Sequence, residues 1–213
     1  MDERLSMPLG EAIYTQRAIR RLKPDPIPDE DLASILRAAG RAPSDSNVQP
    51  WRFLVIRDAA RKKQLADCYR EAWWARRHAI GIHKPEDIPA TDKVGQAALR
   101  FTTEYENAPV LVLVCNTSRP AGAVRPGVLT NEILTGVQNL MLAARALGIG
   151  STITAIGGPA DARVHELFGI PADVEATFVI PLGYPRGNFG AAARKPLKEI
   201  AFLDVYGQPG PWD

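Results

Sequence analysis

Apolar positions along the chain fall into runs whose spacing sorts them into elements. Leu32, Ile35, Leu36 and Ala39 share one helical face behind Asp29, a good N-cap, and Gly40 follows them, which predicts a helix from Asp29 to a stop at Gly40. WRFLVIR at residues 51–57 is rich in β-formers and reads as a strand. PVLVLVCN at 109–116 is the clearest buried strand, and ATFVIPLGYP at 176–185 is the last strong one. LTNEILTGVQNLMLAARALG at 129–148 is the clearest helix, with apolar residues nearly all round it, which predicts burial on most sides.

Weaker patterns fill the intervals. Residues 9–16 suit one or two helical turns, 58–78 a charged helix carrying Leu65, Trp73 and Trp74, 95–107 another helix, and 161–168 a short one. GIGSTIT leads into a short strand, while Pro-Asp-Pro-Ile-Pro at 24–28 cannot be helical. Residues 42–50 are turn chemistry, 79–94 are polar and irregular, and 118–127 are a loop. Helices and strands alternate without the regular spacing of a doubly wound fold, which predicts one α+β domain over 1–213 with four to five strands. Within it, 66–108 reads as an irregular helical excursion near a site.

Composition narrows the class. The chain has 213 residues, 46% hydrophobic and 23% charged, which excludes a disordered chain. No apolar run approaches the ~20 residues of a membrane span, and the polar start MDERLSMPLG gives the expectation of no signal peptide. A net charge of +2 is too balanced to imply a nucleic-acid partner. Two cysteines, Cys68 and Cys115, cannot build a disulfide framework. Cys115 ends an apolar run and reads as a buried small hydrophobe, and a reducing, cytoplasmic setting fits. His78, His83 and His165 are scattered, with no metal-ligand spacing.

Three polar segments carry candidate chemistry. Arg17-Ala18-Ile19-Arg20-Arg21, followed by Lys23, offers guanidinium forks that match phosphate oxygens, or a solvated charged turn. Pro43-Ser44-Asp45-Ser46-Asn47-Val48-Gln49-Pro50 offers hydroxyls and amides to a planar heterocycle, or an ordinary polar loop. Pro181-Leu182-Gly183-Tyr184-Pro185 leaves a strand ahead of Arg194-Lys195. Trp73 and Trp74 could cap a substrate pocket or pack a helix into the core, Phe101 and Tyr105 pose the same choice, and His83 sits in the excursion. Gly148-x-Gly150 follows a helix instead of a strand, so it reads as a helix C-cap and not a dinucleotide fingerprint.

Taken in order, these segments resemble the flavin-dependent nitroreductase-like family. The matching elements are R-A-I-R-R-L at 17–22, A-P-S-x-x-N-x-Q-P-W at 42–51, Q-N-L-M-L-A-A-x-A-L-G-I-G at 138–150, and P-L-G-Y-P at 181–185 followed by R-K-P-L at 194–197. The resemblance spans about residues 11–201. It implies an α+β sandwich with a central, mainly antiparallel sheet flanked by helices, in an intertwined homodimer with two FMN sites at the interface. It implies that Arg17 and Arg20 hold the FMN phosphate, with Gln16 and Ala18 lining the same turn. The family commonly has Arg-Arg-Ser-hydrophobic-Arg there, so Gln16 and Ala18 remove one cationic contact and one hydroxyl donor. Pro43, Ser44, Asn47 and Gln49 would meet the flavin, and the backbone of Thr154, Ala155 and Ile156 would lie near its reactive nitrogen. Arg194 or Lys195 would add a second phosphate contact.

The implied activity is transfer of a hydride from NADH or NADPH to FMN, followed by ping-pong reduction of a nitroaromatic, quinone or similar small-molecule acceptor. The flavin carries the redox chemistry, so no catalytic side chain is expected. Two alternatives stay open: a flavin-binding storage or sensor protein without turnover, and a specialised flavin enzyme of the reductive dehalogenase kind. A deazaflavin could replace FMN on similar phosphate contacts. Acceptor choice is expected to lie in 66–108 and 118–128, and the 198–213 tail is expected to reach a partner subunit. The all-round apolar helix supports the homodimer independently, since a chain this small has difficulty burying it alone.

Overall fold

The computed structural model describes residues 2–117 and 128–212, without the side chains of 128–131. Among these residues, six α-helices and five strands follow in the order α1 Leu9–Thr15, α2 Asp29–Ala39, β1 Trp51–Ile56, α3 Ala59–His78, α4 Lys93–Thr103, β2 Val110–Asn116, α5 Val128–Ala146, β3 Gly150–Ser151, β4 Thr154–Ala155, α6 Asp161–Phe168 and β5 Glu175–Gly183. The pairings among these five strands are antiparallel. β2 lies between β1 and β5, and the other edge of β5 pairs with β3 near Gly183 and with β4 near Val179. The fold is therefore α+β with a central antiparallel sheet flanked by helices.

Side-chain alternation along β2 divides the core. Val110, Val112 and Val114 pack with Ile35, Ile133, Leu140 and Leu182, so α2 and α5 cover one face. Leu111, Leu113 and Cys115 pack with Leu65, Tyr69, Phe101, Tyr105 and Val164, so α3, α4 and α6 cover the other. Both faces being covered explains why the β2 sequence is an unbroken apolar run. Burial pushes the Cys115 thiol up to about 11.

Local signals act where the sequence places them except at α2, where Asp29 is the first helical residue and Pro28 holds the N-cap position without a side-chain hydrogen bond. Asp58 accepts a hydrogen bond from the Arg61 amide at 2.8 Å and starts α3. α5 ends in a left-handed Gly148 at φ 71°. The Ile149 amide donates to the Ala144 carbonyl at 2.8 Å and the Gly148 amide to Arg145 at 3.0 Å, the paired bonds of a glycine C-cap.

Residues 66–108 hold the helices expected at 58–78 and 95–107, observed as α3 and α4. They are largely helical, and the stretch between α3 and α4 is the irregular part. Burial holds this segment in place: Tyr69, Trp73, Phe101 and Tyr105 build an aromatic layer, with Leu65 beside it, against the sheet. Tyr69 stacks on Tyr105 at 4.1 Å, and Phe101 meets Tyr105 edge-on at 5.2 Å.

The tail has structure of its own. The bridge between Phe202 and Pro209 folds it back on itself, and the Trp212 indole donates to the Ala201 carbonyl at 3.2 Å. It still leaves Ile200, Val205 and Tyr206 exposed, at 59%, 63% and 92%.

Candidate functional site

The basic segment forms an extended arm, residues 17–23, clamped across one end of the sheet. Ala18 bridges Ser151 and Leu22 bridges Pro185. The Ile19 amide donates to Ser151 at 2.9 Å, Lys23 to Tyr184 at 2.7 Å, and Arg186 to the Arg21 carbonyl at 2.9 Å. Ile19 and Leu22 are buried, while Arg17 and Ala18 are exposed and Arg20 is half-buried. Apolar anchors thus fix the backbone and leave the charged residues for another purpose.

A glycine pair makes the clamp possible. Gly150 and Gly183 face each other across the β3–β5 ladder. A Cβ on Gly150 would lie 2.8 Å from Ile19 Cγ2, and one on Gly183 would lie 2.8 Å from Pro109 Cδ and 3.0 Å from Leu22 Cβ. Neither approach leaves room for a methyl group, so the two glycines are the floor on which the arm rests.

β4 lies beside this floor. The Thr154 hydroxyl donates to the Val179 carbonyl at 2.6 Å, and the Tyr105 hydroxyl lies 2.7 Å from Thr154 Oγ1. Since Thr154 has a single hydroxyl proton, Tyr105 is the donor in the second bond. Burial holds the Tyr105 phenol well above its ordinary pKa, so it stays protonated and pins β4 from below. Ala155 is exposed at the strand end, and Ile156 is buried behind it.

The second polar segment sits elsewhere. Ser44 Oγ accepts from the Gln49 amide at 3.0 Å, and the Gln49 side chain donates to Asn47 Oδ1 at 3.2 Å. Ser46, Asn47 and Gln49 hold φ values of 48°, 57° and 49°, left-handed conformations that cost non-glycine residues energy. The loop is tethered to the start of α5, where Asp45 N donates to Glu132 at 3.0 Å and Thr135 donates to the Pro43 carbonyl at 3.3 Å. The arm instead meets the far part of α5, where the Gln16 amide lies 3.7 Å from Met141 Sδ. Nine residues separate Glu132 from Met141, which is about 14 Å of helix axis. One subunit therefore keeps the two segments apart.

Other expectations divide. Trp73, Phe101 and Tyr105 are buried among the core residues, at 6%, 4% and 0% exposure, as the core-packing alternative expects. Trp74 is half-buried, edge-on to Trp73 at 4.9 Å. His83 is exposed, its ring 5.1 Å from that of His78. Arg194 donates to the Ala193 carbonyl at 2.9 Å, and Lys195 lies 3.9 Å from Glu199. Among the described residues no hydrogen bond joins Arg194 or Lys195 to residues 16–20. Residues 118–127 of the second expected acceptor-selecting segment lie outside the described residues. Sequence reasoning missed Arg76, whose guanidinium lies 3.5 Å from the Ala155 carbonyl. Its only sequence signal was a basic last helical turn.

The structure is thus an α+β sandwich with a basic arm clamped across the end of the sheet, beside the exposed Ala155 of β4. The chain belongs to the Nitroreductase family, whose model matches residues 13–184. An Archaeoglobus fulgidus protein provisionally named NADH dehydrogenase/NAD(P)H nitroreductase is 32% identical over 190 residues, covering 87% of each chain. A Thermus thermophilus protein named NADH dehydrogenase is 30% identical, covering 89% of this chain and 92% of its own. An iodotyrosine deiodinase solved with FMN and 3-iodo-L-tyrosine superposes with a TM-score of 0.69 at 25% identity, over 93% of this chain and 98% of its own.

Proposed function

We propose that this chain is an FMN-dependent oxidoreductase that works as a homodimer, taking electrons from NADH or NADPH and delivering them to a nitroaromatic, quinone or related acceptor. The observation that carries the reading is the arm: guanidiniums displayed on a backbone held by Ile19, Leu22 and the Gly150–Gly183 floor. That donor set fits a phosphate dianion. The names of the relatives support FMN and a nicotinamide donor.

The redox chemistry, hydride uptake from the nicotinamide and electron delivery to the acceptor in alternation, would be supplied by FMN held by these residues. The chain's own residues bind and orient. Arg17 and Arg20 would hold the phosphate, beside Gln16 and Ala18. The Thr154–Ile156 backbone, kept in place by Tyr105, would flank the ring. Pro43, Ser44, Asn47 and Gln49 would meet the ring from the partner subunit, which is the reading that the separation along α5 supports. Arg194 or Lys195 would complete the phosphate contacts. Exposed Leu9, Ile13, Tyr14, Val48 and Leu134 are apolar surface that a second copy would cover.

The test is an anaerobic titration of FMN-loaded protein with NADH and NADPH, followed by an acceptor panel that includes a halogenated tyrosine. Bleaching by either donor and reoxidation by nitroaromatics or quinones is the expected result. Failure to take up FMN overturns the reading. Bound flavin that neither donor bleaches favours the storage or sensor role, and reoxidation confined to the halogenated substrate favours dehalogenation. Gel filtration at known concentration should give a dimer.

A further inference from the structure

The arm meets the exit of β5 through one antiparallel bridge, Leu22 opposite Pro185. Two backbone bonds flank that bridge. The Lys23 amide donates to the Tyr184 carbonyl at 2.7 Å, and the Arg186 amide donates to the Arg21 carbonyl at 2.9 Å. With bonds on either side and none within it, Leu22 and Pro185 are a non-hydrogen-bonded pair. Pro185, which has no N–H, suits such a position. The Leu22 carbonyl then points to the outer edge of the arm, away from β5, and the ladder supplies no donor for it.

Arg186 supplies that donor. Its Nε donates to the Leu22 carbonyl at 2.9 Å, while its amide holds the Arg21 carbonyl on the inner edge. One residue thus grips two consecutive carbonyls, one on each edge of the arm, and the outer bond is charge-assisted. Arg20 lies two residues from Leu22, about 7 Å along an extended chain. Among the described residues the Arg20 backbone has no hydrogen bond of its own. It is held through Ile19 on one side and through Arg21 and Leu22 on the other.

We propose that Arg186 is a positioning residue for the phosphate end of the flavin. Its grip on Arg21 and Leu22 sets where Arg20 presents its guanidinium, and Arg186 acts through the arm without touching the phosphate. The assignment goes beyond the function proposed above and rests on its FMN reading.

Arg186 is exposed, so Arg186→Met removes the donor and leaves the core intact, while Arg186→Lys keeps the charge. Flavin fluorescence measures affinity for FMN and for riboflavin, at high salt, which screens the lost charge itself. Hydrogen exchange by mass spectrometry reads the amides of 17–23. In Arg186→Met the FMN affinity should fall about tenfold, the loss of a charge-assisted contact put out of place. Riboflavin affinity should hold, and the arm should exchange faster. Arg186→Lys should keep part of the FMN affinity. Unchanged FMN affinity, or equal losses for the two flavins, overturns the proposal. An FMN-specific loss with unchanged exchange overturns it as well, because Arg186 would then act on the phosphate directly. If the unaltered chain takes up neither flavin, the function above fails instead, and inorganic phosphate becomes the probe. Phosphate should slow exchange of 17–23 in the unaltered chain and do so less in Arg186→Met; equal slowing, or none, overturns the assignment.

Discussion

The arm at 17–23 and the loop at 43–49 are both short, polar and proline-flanked, yet they are held by opposite means. The arm is anchored by what it buries: Ile19 and Leu22 sit on two glycines, and backbone bonds tie it to Ser151 and Tyr184. The loop is held by bonds within itself and by strained backbone, and it exposes Val48 at 60%. An arm fixed by apolar contacts presents its charges in a set geometry within one subunit. A loop stabilised only by itself and by the start of α5 is built to be met by something further, which the homodimer reading supplies.

Truncation of the anchors should separate the two segments most sharply. Leu22→Ala should cost about 2–5 kcal/mol of stability, the usual range for emptying a buried leucine site. Val48→Ala, at an exposed position, should stay within about 0.5 kcal/mol. Urea unfolding under conditions that keep the chain monomeric measures both, and equal losses would dissolve the contrast.

A smaller effect is expected from filling the floor. Gly183→Ala should destabilise by about 1–3 kcal/mol, because Pro109 and the Leu22 Cβ cannot both withdraw. It should also weaken FMN binding, since the arm must lift. A melting curve and a flavin titration read the two effects. Unchanged FMN affinity in a destabilised protein would show that the arm does not present the phosphate site.

The smallest effect lies in the loop itself. Ser44→Ala removes the acceptor for the Gln49 amide and should cost about 0.5–1.5 kcal/mol. Its flavin affinity should fall only under conditions in which the protein is dimeric. Dilution across the dimer transition, followed by flavin fluorescence, checks this. A loss independent of protein concentration would place the loop in the same subunit's site.

Much of the fold was legible because its signals are local. The strand at 110–116 is an unbroken apolar run and the stop after α5 is a glycine. The aromatic residues were less legible. Trp73, Phe101 and Tyr105 have the same composition whether they wall a pocket or fill a core, and only packing against Leu111 and Leu113 decides between them. Arg76 was overlooked for a similar reason. A basic residue in a last helical turn is common, and its proximity to Ala155 joins positions 79 residues apart.

Sequence alone therefore determined the element types, the α+β class and where the polar segments fall, because periodicity, capping and turn residues act over a few neighbours. Tertiary structure decided what those segments face. Gly150 meeting Gly183, Ile19 resting on that pair, and the loop and arm standing apart along α5 all depend on close approach between distant positions. Short-range pattern does not encode such approach, and close packing admits only one arrangement of it.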